Sequence, residues 1–205
     1  MAAKRVERER MENEKVALYL GLVHYPVLNR HGDVIASAVT NLDLHDLARL
    51  TRTYGLPGCF VITPLQDQQA LVAELLDHWR AGEGKNVHPD RDDALRSLRV
   101  VDTIDEAAAG IEREWGQKPA IWASSASTGD DRIDFIRASG KLDPAEGPKL
   151  LLLGTAWGLV DDILASADEV LEPINGMDEF NHLSVRCAAA IMVDRLLNGR
   201  CQLNG

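Results

Sequence analysis

Between Asn41 and Arg52 the chain reads N-L-D-L-H-D-L-A-R-L-T-R, gathering amide, carboxylate, imidazole and guanidinium groups within about three helical turns. Asp43, His45 and Asp46 form a compact titratable group. An imidazole titrates near neutrality and suits general-base work. Arg49 is a permanent bidentate donor, able to hold a phosphate or to lower the pKa of an attacking hydroxyl. The structural alternative is that Asn41 or Asp43 caps a helix, acidic residues favour its first turn, and Arg49 and Arg52 lie on its solvated face.

A second set of residues offers backbone rather than side-chain chemistry. Leu150–Leu153 is an apolar run followed by Gly154-Thr155-Ala156-Trp157-Gly158. Further on, Glu172-Pro173-Ile174-Asn175-Gly176 follows another apolar stretch, and Asn181-His182-Leu183-Ser184 precedes a run of small apolar residues. In open α/β sheets ligands bind at the carboxyl ends of strands, and glycine lets the backbone approach them closely. Ser124 and Ser125 add two hydroxyls at the end of Ala120–Ala123. The alternative is a set of ordinary strand-to-helix turns.

These residues need a scaffold, and the hydrophobic pattern supplies one. Val16–Val23, Gly58–Thr63, Leu98–Val101, Ala120–Ala123, Leu150–Leu153 and Glu169–Ile174 read as strands. Val34–Val39 reads as an extended segment. Helices are predicted over Asp43–Tyr54, over Gln66–Arg80 with Ala70, Leu71, Ala73, Leu75 and Leu76 inward, from a capping box at Thr103 and Glu106 to Trp115, over Asp130–Ser139, after Gly158 with Leu159, Ile163 and Leu164 inward, and from Asn181 onward. Lys85–Arg91 reads as a polar loop. Strands alternating with helices predict an α/β fold with a largely parallel sheet and helices on both faces.

Length and composition bound the function. The 205 residues fit a charged arm over 1–14 and one domain over 15–205, and 45% hydrophobic content is enough for a core. No apolar run reaches membrane-spanning length, and the charged amino terminus has no signal segment, so a cytoplasmic protein is expected. Cys59, Cys187 and Cys201 are far apart, which disfavours a disulfide framework or a zinc site; Cys59 and Cys187 fall in apolar segments and read as core residues. No metal-ligand cluster, dinucleotide fingerprint or Walker loop is present. A formal charge of −10 disfavours a broad nucleic-acid surface. Arg30, Arg49, Arg52, Arg91, Arg96 and Arg99 form either a local basic groove or scattered solvated charges.

The segments G-T-A-W-G-L, E-P-I-N-G and N-H-L-S-V-R-C-A-A-A-I, in that order and spacing, resemble the carboxyl-terminal half of the SPOUT RNA methyltransferases. The likeness is greatest to a bacterial branch whose members occur alone or beside the tRNA guanine methyltransferase. The run A-R-L-T-R-T-Y-G-L is similar to the first motif of the ribose methyltransferase branch, with Arg49 six residues before Gly55. Asn41 lies two residues further upstream than that branch's asparagine, leaving base or ribose open as the target.

The resemblance implies a carboxyl-terminal deep trefoil knot, which general topology rules would not predict. It also implies S-adenosylmethionine as cofactor, an RNA substrate (tRNA or rRNA) and a homodimer with the last helix in its interface. Carried over residue by residue, Leu153, Gly154, Thr155, Gly158, Leu171, Glu172, Pro173, Ile174, Gly176, Asn181, His182, Leu183 and Ser184, with Ser124 and Ser125, would hold the cofactor. Asn41, Asp43, His45 and Arg49 would serve catalysis. Glu172 would lie near the sulfonium or be a plain strand-end carboxylate; Ser184 would meet the ligand or cap the last helix. The competing expectation is a noncatalytic module that binds the cofactor or RNA and acts through a partner protein.

Overall fold

The computed structural model describes residues 16–81, 89–129, 131–178 and 180–203. The expected arm over 1–14 lies outside them, as do residues 85–88 of the expected loop. Seven strands form one parallel sheet: β1 (Leu18–Val23), β4 (Cys59–Ile62), β5 (Leu98–Val101), β6 (Ala120–Ala123), β7 (Arg132–Ile133), β8 (Lys149–Gly154) and β9 (Glu169–Leu171). Their order is β5-β4-β1-β8-β6-β9-β7, and each neighbouring pair runs parallel. A separate antiparallel hairpin pairs β2 (Val27–Leu28) with β3 (Val34–Ile35).

The central strands β1 and β8 are buried almost throughout and, apart from Lys149, carry no charged residue, because both faces are covered. From β1 and β8, Leu18, Leu20, Leu22, Leu151 and Leu153 enter one core. That core is completed by α1 (Asn41–Thr53), α2 (Gln66–Ala81), α3 (Pro89–Leu95), α5 (Phe135–Gly140) and α7 (Val185–Leu203). Tyr19, Val23, Leu150 and Leu152 enter the other, under α4 (Ile104–Trp115) and α6 (Asp161–Ser166).

Helix starts follow side-chain chemistry. Thr40 caps α1 through the Asp43 N–H, so the cap is neither Asn41 nor Asp43. Thr103 caps α4, and Glu106 reaches back to the Asp102 N–H, one residue beyond the usual capping box. Pro89 opens α3, with Asp90 and Asp92 in its first turn, where a polar loop was expected.

Other expectations shift. Arg132–Ile133 is an edge strand, and Asp134 then caps a helix from Phe135, replacing the helix expected over Asp130–Ser139. In α2 the buried residues are Val72 and Leu76; Ala70, Leu71 and Ala73 face outward. Only Val34–Ile35 of the extended segment pairs as a strand. Strand β9 ends at Leu171, and the last helix begins at Val185. Cys59 is core, as expected, whereas Cys187 is exposed.

Candidate functional site

The carboxyl ends of β6 and β8 open into a cavity of about 810 Å³. Gly154 ends β8 and begins a tight loop. A Cβ on Gly154 would lie 2.5 Å from the Leu159 nitrogen and 2.7 Å from the Gly158 carbonyl carbon, so the loop closes on itself only over a bare backbone. Within it Ala156 and Gly158 have φ of 51° and 105°. Such left-handed geometry is sparsely populated by alanine and collects at ligand sites.

The β2–β3 hairpin is sewn to this loop. Trp157 donates its backbone N–H to the Leu28 carbonyl (3.0 Å), Leu28 donates to the Gly158 carbonyl (3.0 Å), and Val27 bridges Leu159. Behind the loop runs a string of hydroxyls. Thr155 Oγ1 donates to the Val23 carbonyl (2.8 Å), which uses its only proton. Ser37 Oγ, 2.5 Å away, therefore donates to Thr155, and His24 Nδ1, at 2.9 Å, donates to Ser37. That order puts a proton on His24 Nδ1. Its buried Nε2 meets no hydrogen-bond partner among the described residues. Burial holds its pKa below the ordinary histidine value, opposed by the nearby Asp43 carboxylate and the backbone of Ser37.

The far rim comes from β6 and α7. Ser124 Oγ donates to the Leu152 carbonyl (2.9 Å), and Asn181 Nδ2 reaches the Ala126 carbonyl (3.1 Å), joining the two rim segments. Ser184 accepts the Cys187 N–H and so acts as a helix cap. Arg186, in the first turn of α7, places Nη1 3.2 Å from Asp43 Oδ1 and Nε 3.2 Å from Asp46 Oδ2. The Thr40 hydroxyl donates to Asp43 Oδ2 at 2.6 Å. Asp43 is thus a buried, doubly held carboxylate in the cavity wall.

The cavity brings together Asp43, Ser124, Ser125, Leu153, Gly154, Thr155, Gly158, Ile174, Asn181, His182, Leu183 and Ser184. The other sequence candidates lie off its wall. Leu171 is fully buried core. Glu172 accepts the Phe135 N–H at the start of α5 (3.3 Å), where a helix terminus attracts a carboxylate. Pro173 and Gly176 do not line the cavity. Asn41 and Arg49 are exposed on α1. His45 faces α2, with its ring edge-on to Trp79 at 5.6 Å; burial and the Arg91 and Arg49 charges lower its pKa against the pull of Asp46. Sequence reasoning missed Leu28, Ser37, Thr40, Asp161 and Met192, which also line the cavity. A legible hint lay in the Asn29–Asp33 turn, which folds Ser37 back against the first strand.

The donor set fits S-adenosylmethionine. The wall carries backbone groups, seven serine or threonine residues beside Leu153, Ile174 and Met192, and the carboxylates Asp43 and Asp161. Among the described residues no lysine or arginine lines it, which suits a sulfonium and disfavours a polyphosphate. Among the described residues no group of three or more His, Cys, Asp or Glu is placed to hold a metal, and no helix is long and apolar enough to cross a membrane.

The fold is that of solved SPOUT-type methyltransferases. The Aquifex aeolicus TrmH/SpoU tRNA modifying enzyme matches with a TM-score of 0.56 at 15% identity, over 98% of this chain and 85% of that one. The SpoU methyltransferase AviRb of Streptomyces viridochromogenes matches with a TM-score of 0.57 at 16% identity, over 94% of this chain and 64% of that one. A family profile described as SAM-dependent RNA methyltransferase matches residues 17–198, and the chain belongs to that family.

A tRNA (guanine-N(1)-)-methyltransferase of Oleidesulfovibrio alaskensis is 45% identical over 195 residues, 95% of this chain but 44% of the relative. The chain thus spans under half the length of such relatives. An uncharacterized protein of Aquifex aeolicus is 32% identical over 93% of both chains, so the same unit also occurs at this length.

Proposed function

We propose that this chain methylates a nucleoside of RNA, with S-adenosylmethionine held in the cavity at the ends of β6 and β8. The observation that carries the reading is a wall of bare backbone, hydroxyls and carboxylates, with no lysine or arginine among the described residues, built on the Gly154–Gly158 loop. When bound, the cofactor supplies a methyl group already activated by its sulfonium. The protein's task is then to align the acceptor atom and take its proton. Asp43 is the proton acceptor in this reading: its carboxylate lines the cavity, oriented by Arg186 and Thr40. Backbone groups of 154–158 and the Ser124 and Ser125 hydroxyls bind polar edges of the cofactor. Leu153, Ile174 and Leu183 form its apolar walls, with Asn181, His182 and Ser184 on the rim.

The reading includes a deep trefoil knot formed with α7 and a homodimer in the cytoplasm. Exposed Arg49 and Asn41 then act at the cavity of a second copy. Support comes from the likeness to SPOUT folds and from the exposure of those two side chains. The target is tRNA or rRNA. Guanine N1 methylation belongs to relatives more than twice as long and is not assigned to this unit.

Asn41, His45 and Arg49 lying off the cavity favours a second reading, a noncatalytic cofactor- or RNA-binding module acting through a partner protein. Two measurements separate them: calorimetric titration with S-adenosylmethionine, and transfer of labelled methyl groups to bulk bacterial tRNA and rRNA. Binding with transfer supports catalysis. Binding without transfer to either RNA supports the module. No binding at millimolar cofactor defeats the methyltransferase reading and leaves only a module that acts on RNA through a partner.

A further inference from the structure

Trp157 is 64% exposed at the cavity mouth although it sits between the two most constrained residues of the loop, Ala156 and Gly158. A large indole held out to solvent by a fixed backbone calls for a contact. Its main-chain N–H is bound to the Leu28 carbonyl, so the β2–β3 hairpin and the indole move as one unit. Two residues beyond Leu28 the hairpin turns. Asn29 Oδ1 accepts the N–H groups of His31 (2.7 Å) and Asp33 (3.0 Å), and Asn29 Nδ2 donates to Asp33 Oδ2 (3.0 Å). This turn presents Arg30 and His31 to solvent, with Arg30 Nε donating to His31 Nε2 at 2.8 Å. The Asp33 carboxylate is occupied within the turn. Across the mouth, Phe180 is 70% exposed and stands edge-on to His182, 5.2 Å between ring centres.

Resting on the methyltransferase reading, we propose that this unit is a platform for single-stranded RNA: an unpaired nucleobase stacks on Trp157 at the cavity mouth, and Arg30 on the hairpin tip binds the adjoining phosphate. Aromatic faces accept any base, and a nearby cation fixes the backbone, which is how unpaired strands are held without sequence reading. In a chain of formal charge −10, an exposed arginine on the hairpin tied to the cavity loop supplies a local cation of the kind phosphate binding needs. Phe180 and His182 offer a second aromatic surface for the neighbouring base.

The test uses the full chain with fluorescein-labelled bulk bacterial tRNA and a single-stranded RNA oligomer, each titrated at several salt concentrations. S-adenosylmethionine calorimetry and sedimentation run alongside. Trp157→Ala should weaken RNA binding about tenfold, and Trp157→Phe should restore most of it. Arg30→Ala should weaken binding and reduce the salt slope by about one. Cofactor affinity should hold in Arg30→Ala, which lies off the cavity wall, and in the Trp157 variants it should fall far less than RNA affinity. RNA affinities within about twofold of the parent for both alanine variants would overturn the platform. So would conversion of a dimer to monomers by Trp157→Ala, which would assign the indole to an interface between copies, and so would a parent that binds cofactor but neither RNA. A parent that takes up no cofactor fails the underlying reading instead.

Discussion

The hydroxyl of Ser37 lies 2.5 Å from that of Thr155, 118 residues further along the chain. The bond ties the segment after β3 to the loop after β8, and both side chains line the cavity. It also fixes a direction of donation from His24 through Ser37 and Thr155 to the Val23 carbonyl. Thr155→Val keeps the shape but leaves Ser37 and Val23 without that partner. Stability should fall by about 1–3 kcal/mol in urea unfolding, because buried polar groups lose their bonds. Cofactor affinity should fall with it. A variant as stable as the parent would show that the string carries no load.

Gly154 and Gly158 should respond differently to alanine. At Gly154 the added Cβ meets backbone of Gly158 and Leu159, which cannot rotate away. At Gly158 it meets open space but sits on a φ of 105°. Gly154→Ala should cost about 1–3 kcal/mol as an overpacked site and abolish cofactor binding by distorting the loop. Gly158→Ala should cost about 1–3 kcal/mol as backbone strain while retaining measurable binding. Thermal melts with calorimetry on both variants decide it.

Asp43→Asn tests the proton acceptor. The amide keeps the volume and the contact with Thr40 but cannot take the proton. Methyl transfer should drop about 100-fold or more, the usual worth of a positioned base. Cofactor affinity should change far less than turnover. Equal losses in both would make Asp43 a binding carboxylate only.

Acid should destabilise the fold through its two depressed histidines. Burial lowers the pKa of His24 and of His45 from the ordinary value of 6.5. The unfolded chain therefore takes up the proton first. The stability tied to each neutral imidazole is whole above pH 6.5 and falls as the pH drops through that value toward the folded pKa. The urea midpoint should be lower at pH 5.5 than at pH 7.5. His24→Asn, which keeps a donor toward Ser37, should flatten part of that slope and leave the His45 share.

What could be read from the sequence divides by range of interaction. Leu150–Leu153 and Val16–Val23 are uniform apolar runs, and a strand covered on both faces has no other pattern. Gly154 and Gly158 were legible because only glycine tolerates that loop. The inward face of α2 was misread: Leu71 and Val72 both sit in helical repeats, and only the packing partner decides which faces in. Arg132–Ile133 is too short to show periodicity, although Asp134 before Phe135 was a readable cap. The contribution of Ser37, Thr40 and Leu28 to the cavity rests on contacts more than a hundred residues long, which no local pattern encodes. Glu172, which went to the start of α5, and His45, which turned toward Trp79, answer to partners 37 and 34 residues away, also beyond any local pattern.

The place of β8 in the sheet bears on how the molecule comes into being. Leu20 pairs with Leu151 and Ala123 with Leu152, so a strand beginning at Lys149 separates the two sides of the sheet. During synthesis, β1, β4 and β5 can assemble early, while β6 has no neighbour until Lys149–Gly154 arrives. That closure spans more than a hundred residues and pays its loop entropy before any central contact repays it, which makes such topologies slow folders. The β1–β8 pairing also carries Gly154 and Thr155 into position. A nascent chain therefore has no cofactor cavity until Lys149–Gly154 and the rim through Met192 have emerged, and competence to bind ligand marks the completion of this fold.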